Sequence, residues 1–326
     1  MHASPNGLVF AIYYPILGAM GVPANLVVIV ILARRRCGLS ECIIYYVISM
    51  AVTDLLVIIT AVILHRTFGI YFPFSFLSIT PVCSLLVATI YVALDSSVWL
   101  TVAFTFDRFI AICCQKLKIK YCTKKTTVQI IGIVPPLACV KNIFMYFICE
   151  PVYTVENVPW FCRTKPIFYT SPAWTAYDWI RSILTPCLPF ILISLFNALT
   201  VRHILASNTT RRKLRTQSIV ENQSDPEVEK RQKSIVLLFA ISGSFIVLNM
   251  LYFVTILYVR IADVRYFSDS VFSQTAFNIE EIGYMLQFFS SCTNPFIYAG
   301  TQSKFRFELK REASYQLSRF VKLFKF

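Results

Sequence analysis

Charged residues are scarce in this sequence. Asp, Glu, Lys and Arg make up 15% of the 326 residues, whereas 56% are hydrophobic. A soluble domain is charged at roughly a quarter of its positions, so this composition argues against a soluble enzyme. Glycine and proline are also few, at 9 and 15 residues, which excludes a collagen-like or low-complexity chain. With three His residues, no metal-ligand spacing and no recognisable nucleophile–base pair, the sequence gives no support for enzyme chemistry.

The hydrophobic residues are concentrated in seven long runs. A helix needs about 20 apolar residues to cross roughly 30 Å of hydrocarbon, and each run reaches that length. The runs lack the alternation of a membrane β-barrel, and a helix satisfies its own backbone in lipid. We therefore predict an all-α membrane protein in which residues 1–301 form one seven-transmembrane helix bundle. The predicted spans are residues 8–33, 43–64, 82–113, 128–148, 174–205, 234–259 and 277–301.

Basic residues lie mainly on one side of these spans. The net charge is +14, and 24 of the 31 Lys and Arg residues fall on the side that begins with Arg34, Arg35 and Arg36. The positive-inside rule makes that side cytoplasmic. We expect a plasma-membrane protein with an extracellular N-terminus and a cytoplasmic C-terminus. The basic excess then faces anionic lipid and a cytoplasmic protein, and it does not indicate a nucleic-acid partner.

The segment after the seventh span, residues 302–326, has amphipathic spacing. Phe305 and Leu309 are four residues apart, and charged residues lie between them. This pattern is typical of a helix that lies on a membrane surface. We therefore predict a short amphipathic C-terminal helix on the inner leaflet, in contact with membrane lipid.

Two motifs mark the third and seventh spans, and they read Asp107-Arg108-Phe109 and Asn294-Pro295-Phe296-Ile297-Tyr298. In these motifs the chain resembles rhodopsin-like (class A) G-protein-coupled receptors, whose third helix ends in Asp-Arg-Tyr and whose seventh contains Asn-Pro-x-x-Tyr. Chemically, a neighbouring carboxylate can hold the arginine by a charge-assisted hydrogen bond until activation releases it. The resemblance implies coupling to a heterotrimeric G protein through Asp107, Arg108, Phe109 and Tyr298. It also implies an activation switch formed by Asn294, Pro295 and Tyr298.

Asp54 lies in the middle of the second span. An Asp at the bilayer centre costs about 2.5–3.5 kcal/mol on insertion scales, so its side chain is expected to face the bundle and to have partners. The resemblance implies a sodium ion bound by Asp54, Ser97, Ser290 and Asn294. The alternative is a protonated Asp54 that only forms hydrogen bonds. No cofactor besides this ion is expected.

Cys83 and Cys162 lie near the predicted outer face, where an oxidising environment favours disulfides. The family resemblance implies that these two cysteines pair. Cys149 remains a competing partner, although it lies nearer the membrane end of the fourth span.

Polar and aromatic residues also collect in the outer halves of the spans, where a concave site between helices opens outward. Opposite charges with aromatic rings between them suit a zwitterionic aromatic ligand or a short peptide, with a carboxylate on Arg181 and an amine on Glu281. Mutual salt bridges are the alternative interpretation. Residues 21–25 and 96–111 most resemble a small orphan subgroup that responds to aromatic amino acids and peptides. The predicted ligand-binding residues are Tyr91, Asp95, Arg181, Tyr252, Glu281, Tyr284 and Phe288.

The sixth span departs from the family pattern. It lacks the Cys-Trp-x-Pro motif and reads Leu248-Asn249-Met250 in this region. The missing proline leaves the efficiency of activation open. We predict a receptor that binds an extracellular small-molecule or peptide ligand and promotes nucleotide exchange on a G protein. A seven-helix transporter or channel, and a non-signalling receptor or scaffold, are the alternatives.

Overall fold

The computed structural model describes residues 5–34, 39–215, 226–261 and 274–323, and most of these residues are helical. The α-helices in chain order are α1 Pro5–Ala33, α2 Glu41–Val57, α3 Phe68–Tyr71, α4 Thr80–Cys113, α5 Gln115–Tyr121, α6 Lys124–Asn142, α7 Ile167–Thr170, α8 Pro172–Ser182, α9 Leu188–Arg215, α10 Pro226–Ile261, α11 Gln274–Thr301 and α12 Ser303–Leu323. Two π-helical segments join helices end to end, Ile58–Thr67 between α2 and α3 and Ile183–Cys187 between α8 and α9. Two short 3-10 turns cover Phe76–Ser78 and Ile143–Tyr146.

Six of the described helical stretches are long and apolar enough to cross a membrane. They are Gly7–Ala33, Glu41–Tyr71, Thr80–Cys113, Lys124–Tyr146, Pro172–Ser207 and Gln232–Tyr258. The seventh helix of the bundle, α11, has 28 residues but includes polar side chains such as Glu281 and Gln287. Both side chains are buried, and α11 packs mainly against α10 and also against α1 and α2. The predicted all-α membrane bundle is confirmed.

The apolar core has an inner and an outer part. At the end of the bundle that holds Asp107 and Arg108, Tyr46, Phe104 and Leu237 are fully buried and pack with Tyr298. At the opposite end, Tyr14 and Ile58 belong to a second cluster that joins α1, α2, α4 and α11. Lipid tails are as apolar as these side chains, so the clusters stabilise the bundle through close van der Waals packing, at both ends of the polar site between them.

The loop after the fourth span contains four short strands that the sequence did not predict. They are β1 Cys149–Glu150, β2 Tyr153–Val155, β3 Val158–Trp160 and β4 Arg163–Thr164, with β2 antiparallel to β3 and β1 antiparallel to β4. Glu156 and Asn157 both have positive φ, at 49° and 63°, as a two-residue hairpin turn of type I′ requires. The helical stretch of the fourth span is Lys124–Tyr146, so it begins four residues before the predicted span 128–148 and ends two residues before it.

A disulfide joins Cys83 to Cys162 with their Cα atoms 6.0 Å apart. This is the pairing that the family resemblance implied, and Cys149 is not bonded to either sulfur. Thr80 Oγ1 also donates to the Phe161 carbonyl at 2.7 Å. The loop is therefore fixed to the outer end of α4 by a covalent bond and a hydrogen bond.

The fifth and sixth helices differ in continuity. The fifth is interrupted at Thr185, whose φ and ψ are −156° and 114°, because a residue that precedes a proline disfavours the helical conformation. The sixth, α10, runs for 36 residues with no proline after Pro226 at its start. It therefore has no proline hinge.

The tail forms α12, a helix of 21 residues, which is longer than the short helix predicted. Phe305 is 2% exposed and Phe307 is 66% exposed, as the amphipathic pattern requires. Arg306 donates to the carbonyls of Ala299 and Gly300 at 3.1 and 2.7 Å, which caps the end of α11.

Candidate functional site

Asp54 is the centre of a buried polar cluster between α2, α4 and α11, and it is 1% exposed. Its Oδ1 accepts a hydrogen bond from Ser97 Oγ at 2.6 Å, and its Oδ2 accepts one from Asn294 Nδ2 at 2.7 Å. Asn25 of α1 donates to the Ser291 carbonyl at 3.0 Å, which joins a further helix to this region of α11. The cluster therefore links four helices at the middle of the bundle.

A small cavity adjoins this cluster. Its volume is about 20 Å³, which holds roughly one water-sized particle. The lining includes all four residues predicted to bind sodium, Asp54, Ser97, Ser290 and Asn294. A carboxylate together with neutral oxygens is the donor set that hard cations prefer, so the residues present fit a sodium ion.

Arg108 is held near the C-terminal end of α4 by two partners. Its Nε donates to Asp107 Oδ2 at 3.0 Å, and a second guanidinium nitrogen contacts the same oxygen. A third nitrogen donates to Ser234 Oγ of α10 at 3.4 Å. Asp107 and Arg108 are both buried, so water competes little with the pair. In this conformation the guanidinium connects α4 to α10.

Phe109 and Tyr298, also predicted to serve G-protein coupling, pack against neighbouring aromatic rings. Phe109 stacks on Phe196 of α9, with ring centroids 5.6 Å apart. Tyr298 is 2% exposed, and its ring meets Phe305 of α12 edge-on at 6.4 Å. The Tyr298 hydroxyl is buried and lacks a hydrogen-bond partner within the described ranges.

Arg181 lies among aromatic rings in the half of the bundle predicted to be the outer one. Its guanidinium carbon is 4.6 Å from the centroid of the Tyr91 ring, and it interacts electrostatically with Tyr252 and Tyr284. Its Nη2 donates to Asp178 Oδ1 at 3.2 Å on the same helix. Its Nε is buried without a hydrogen-bond partner among the residues that the structure describes. Arg181 therefore has one buried donor that no described residue accepts.

An aromatic path continues from this arginine along α11. The rings of Tyr252 and Tyr284 are 5.3 Å apart, and those of Tyr284 and Phe288 are 6.2 Å apart. Glu281, on the same helix, forms a bidentate pair with Arg66 at 3.0 and 3.1 Å. Arg66 in turn lies 5.7 Å from the Tyr284 ring. The structure thus brings together six of the seven predicted ligand residues around this path, with Glu281 already paired.

Asp95, the seventh predicted ligand residue, pairs with α6 and also interacts electrostatically with Tyr252. Lys141 Nζ lies 2.5 Å from Asp95 Oδ2 and donates to Thr185 Oγ1 at 3.0 Å. Asn142 Nδ2 also contacts Asp95 Oδ2. The mutual salt bridges left open by the sequence are therefore present for Asp95, which connects α4, α6 and the fifth helix.

The sequence identified the charged residues of the site but not the residues with which they pair. Lys141 is the single charged residue of the predicted fourth span, which was a signal that it needs a buried counterion. Asn142 and Ser234 gave no comparable signal, because isolated polar residues in apolar runs are ordinary. Asn249 and Gln287, which also line the cavity at Asp54, were not predicted as site residues.

The loop after α4 places neutral groups against the Asp107–Arg108 pair. Cys122 Sγ donates to the Asp107 carbonyl at 3.6 Å. Burial, with the negative charge of Asp107, raises the pKa of the Cys122 thiol to about 12. Burial and the same carboxylate raise the pKa of Tyr121 to about 12. Neither side chain therefore brings a second negative charge to Arg108 at neutral pH.

A comparison with protein families complements this geometry. The sequence model of the family described as 7 transmembrane receptor (rhodopsin family) matches residues 24–298. The matched range begins inside α1 and ends at Tyr298 in α11, so it includes both motifs and parts of all seven helices of the bundle.

Proposed function

The chain belongs to the rhodopsin family of seven-transmembrane receptors, and we propose that it binds an extracellular ligand and promotes nucleotide exchange on a heterotrimeric G protein. The family is one of receptors, not enzymes, and its members are multi-pass proteins of the plasma membrane. The proposal rests chiefly on Arg108, because its contacts with Asp107 and Ser234 join the cytoplasmic ends of α4 and α10. Separation of α10 from α4 breaks the Ser234 contact and releases one guanidinium nitrogen for a protein partner.

Signalling then follows from a shift between two conformations. Ligand at the outer side and G protein at the inner side both bind the open bundle better than the closed one, so each raises the affinity for the other. A change from almost fully closed to almost fully open requires a differential binding free energy of about 5.5 kcal/mol. The N-terminus lies outside and the C-terminus inside in this proposal, which places α12 against the inner leaflet.

The ligand class we propose is an aromatic molecule with a carboxylate, such as an aromatic amino acid or a short peptide. The buried and unpartnered Nε of Arg181 supports this class, because a guanidinium binds a carboxylate through two parallel hydrogen bonds. The rings of Tyr91 and Tyr252 supply apolar walls for an aromatic group. Glu281 accepts the ligand's ammonium group in competition with Arg66.

We also propose that the cavity at Asp54 binds sodium. The ion supplies a positive charge that favours ionised Asp54 and the closed bundle, in which Ser97 and Asn294 converge on this carboxylate. Sodium is then expected to lower agonist affinity, and Asp54→Ala is expected to remove that effect. An absence of any salt-specific change in agonist affinity would contradict this part of the proposal.

The experiment that tests the ligand class measures nucleotide exchange in membranes that contain the chain and a G protein. The probes are Phe, Tyr and Trp, each as the free amino acid, the amide and the N-acetyl derivative. We expect amidation to abolish the response, and Arg181→Met to reproduce that loss. Arg163→Met serves as the matched control, because Arg163 lies on the same side of the membrane but is 55% exposed at its side chain. Equal responses to acid and amide would contradict the role of Arg181.

A further inference from the structure

The segment that joins α3 to α4 is apolar and carries exposed aromatic rings. This aromatic loop, residues 67–82, contains no charged side chain, whereas the loop that holds the β2–β3 hairpin, residues 147–171, contains four. Contiguous exposed apolar side chains mark a surface that contacts a protein, a ligand or a membrane. Four aromatic side chains of the loop are between 53% and 70% exposed, and they are Tyr71, Phe72, Phe74 and Phe76.

Backbone and ring contacts hold the aromatic loop in a defined position. The Phe161 amide donates to the Ser78 carbonyl at 2.6 Å. The Phe74 ring lies 6.1 Å from the Trp160 ring and 6.0 Å from the Phe161 ring, in both cases edge-on. Phe161 is followed by Cys162, whose disulfide leads to the start of α4. The exposed rings therefore belong to a loop that is fixed to both the hairpin and α4.

Tyr71 indicates the depth of the aromatic loop in the membrane. Its hydroxyl donates to the carbonyl of Ala11 in α1 at 2.8 Å. Ala11 lies 22 residues before Ala33, which is about 33 Å along the helix. Ala33 directly precedes the three arginines at 34–36, and the hydrocarbon core is roughly 30 Å thick. The Tyr71 hydroxyl therefore lies near the hydrocarbon border opposite those arginines, where the headgroups begin.

The aromatic loop also continues a lipid-facing surface of α1. Leu8, Ile12 and Ile16 are 69%, 54% and 53% exposed. Because residues four apart lie on the same face of a helix, these side chains form one apolar row on the outside of the bundle. The hydrogen bond of Tyr71 reaches α1 at Ala11, beside this row. The lipid that covers α1 is therefore in reach of the loop.

We propose that the four exposed rings of the aromatic loop form a membrane-docking surface, inserted among the headgroups and upper acyl chains of the leaflet opposite Arg34. That leaflet is the outer one in the orientation proposed above. Aromatic side chains favour the membrane–water interface, and Tyr suits it best where its ring is in an apolar region and its hydroxyl is paired. A protein partner is recognised largely through complementary charges, which this loop lacks, so its composition favours lipid as the occupant.

The test is photo-crosslinking of the full chain in nanodiscs. The photoreactive residue benzoylphenylalanine replaces Phe72, Phe74 or Phe76, one position at a time, since each is an exposed Phe of similar shape. The nanodiscs consist of phosphatidylcholine with a deuterated acyl chain, whose mass identifies a lipid adduct on a peptide. We expect irradiation to attach lipid at all three positions.

Two control positions define the range of the assay. Benzoylphenylalanine at Ile16, on the exposed row of α1, is expected to give full lipid labelling. The same group at Asn157, in the exposed turn of the hairpin beside Glu156, is expected to give no lipid adduct above background. This second control shows whether the apolar probe draws lipid by itself. Labelling of the aromatic loop should resemble that at Ile16.

A second measurement covers variants that do not fold with the bulky probe. Phe76→Trp is placed in nanodiscs of phosphatidylcholine with brominated acyl chains, which quench nearby tryptophan fluorescence. The fluorescence added by this Trp, relative to the parent protein, is expected to be quenched. The fluorescence added by Asn157→Trp is expected to persist.

The outcomes decide the occupant of the surface. Labelling at Ile16 without lipid adducts in the aromatic loop overturns the proposal. Adducts that join two copies of the chain identify a dimer surface, and adducts within one copy show that the chain covers its own loop; either result also overturns it. The assay uses neither a ligand nor a G protein. Its failure therefore leaves the proposed receptor function intact, and a failure of nucleotide exchange leaves this surface intact.

Discussion

The buried pair of Lys141 and Asp95 gives a stability prediction that follows directly from the structure. The two side chains are 15% and 6% exposed, and their charged atoms are 2.5 Å apart. Lys141→Met keeps much of the side-chain volume but removes the cation that contacts Asp95. The carboxylate then retains Asn142 as a donor in this cluster, and Thr185 loses its ammonium partner.

The magnitude follows from the cost of isolating a buried charge. Removal of one partner of a buried ion pair costs about 3–5 kcal/mol. The remaining bond from Asn142 and the partial exposure of Lys141 place the expected loss near the lower end, at about 3 kcal/mol. The double variant Lys141→Met with Asp95→Leu removes both charges, so it is expected to recover most of that loss.

The assay is reversible unfolding in mixed micelles, with free energies measured for the parent, both single variants and the double variant. A double-mutant cycle isolates the interaction of the two side chains. Arg163→Met is the control, because its pair with Glu150 is exposed and should contribute less than about 1 kcal/mol. A cost below about 1 kcal/mol for Lys141→Met, or losses of the two single variants that simply add, would contradict a buried and coupled ion pair.

Two further predictions concern the cytoplasmic side. Because the pKa of Cys122 is raised to about 12, its thiolate is rare at pH 8. Iodoacetamide should therefore modify Cys122 about a hundredfold more slowly than free cysteine. Peptide-level mass spectrometry measures this rate. Asp107→Asn removes one cause of that pKa and should speed the reaction; an unchanged rate would contradict the assigned cause. Phe305→Ala should lower the free energy of unfolding by about 3 kcal/mol, whereas Phe307→Ala, at an exposed position, should have little effect. Equal losses for the two variants would contradict the orientation of α12.

The bundle was predictable because the membrane imposes a simple rule on the sequence. Long apolar runs must be helices, and the distribution of Lys and Arg predicts their orientation, which remains a prediction. The ends of the runs were less predictable, since α10 begins at Pro226, several residues before the predicted span 234–259. The strands after Tyr146 were missed because two- and three-residue strands have no detectable period.

The polar residues of the bundle were predictable in type but not in partnership. A carboxylate in the middle of a span, such as Asp54, needs hydrogen-bond partners. The family resemblance predicted Ser97 and Asn294 near Asp54, and both donate to its carboxylate. Which acid pairs with which base depends on how the helices are rotated against each other. The apolar runs do not specify that rotation, so the pairs of Asp95 with Lys141 and of Glu281 with Arg66 became visible only in the structure.

GDP–GTP exchange on a purified heterotrimeric G protein, catalysed by the chain in nanodiscs with the aromatic amino acids as probes, tests the receptor function directly. We predict that the parent protein accelerates exchange, that Arg108→Ala loses the acceleration at equal receptor concentration, and that Arg34→Ala, which removes an exposed cytoplasmic cation, keeps it. Undiminished exchange by Arg108→Ala would contradict the role assigned to the Asp107–Arg108 pair. The same protein can also be reconstituted into vesicles. Ion or solute flux through those vesicles, with no nucleotide exchange on the G protein, would contradict the receptor function itself.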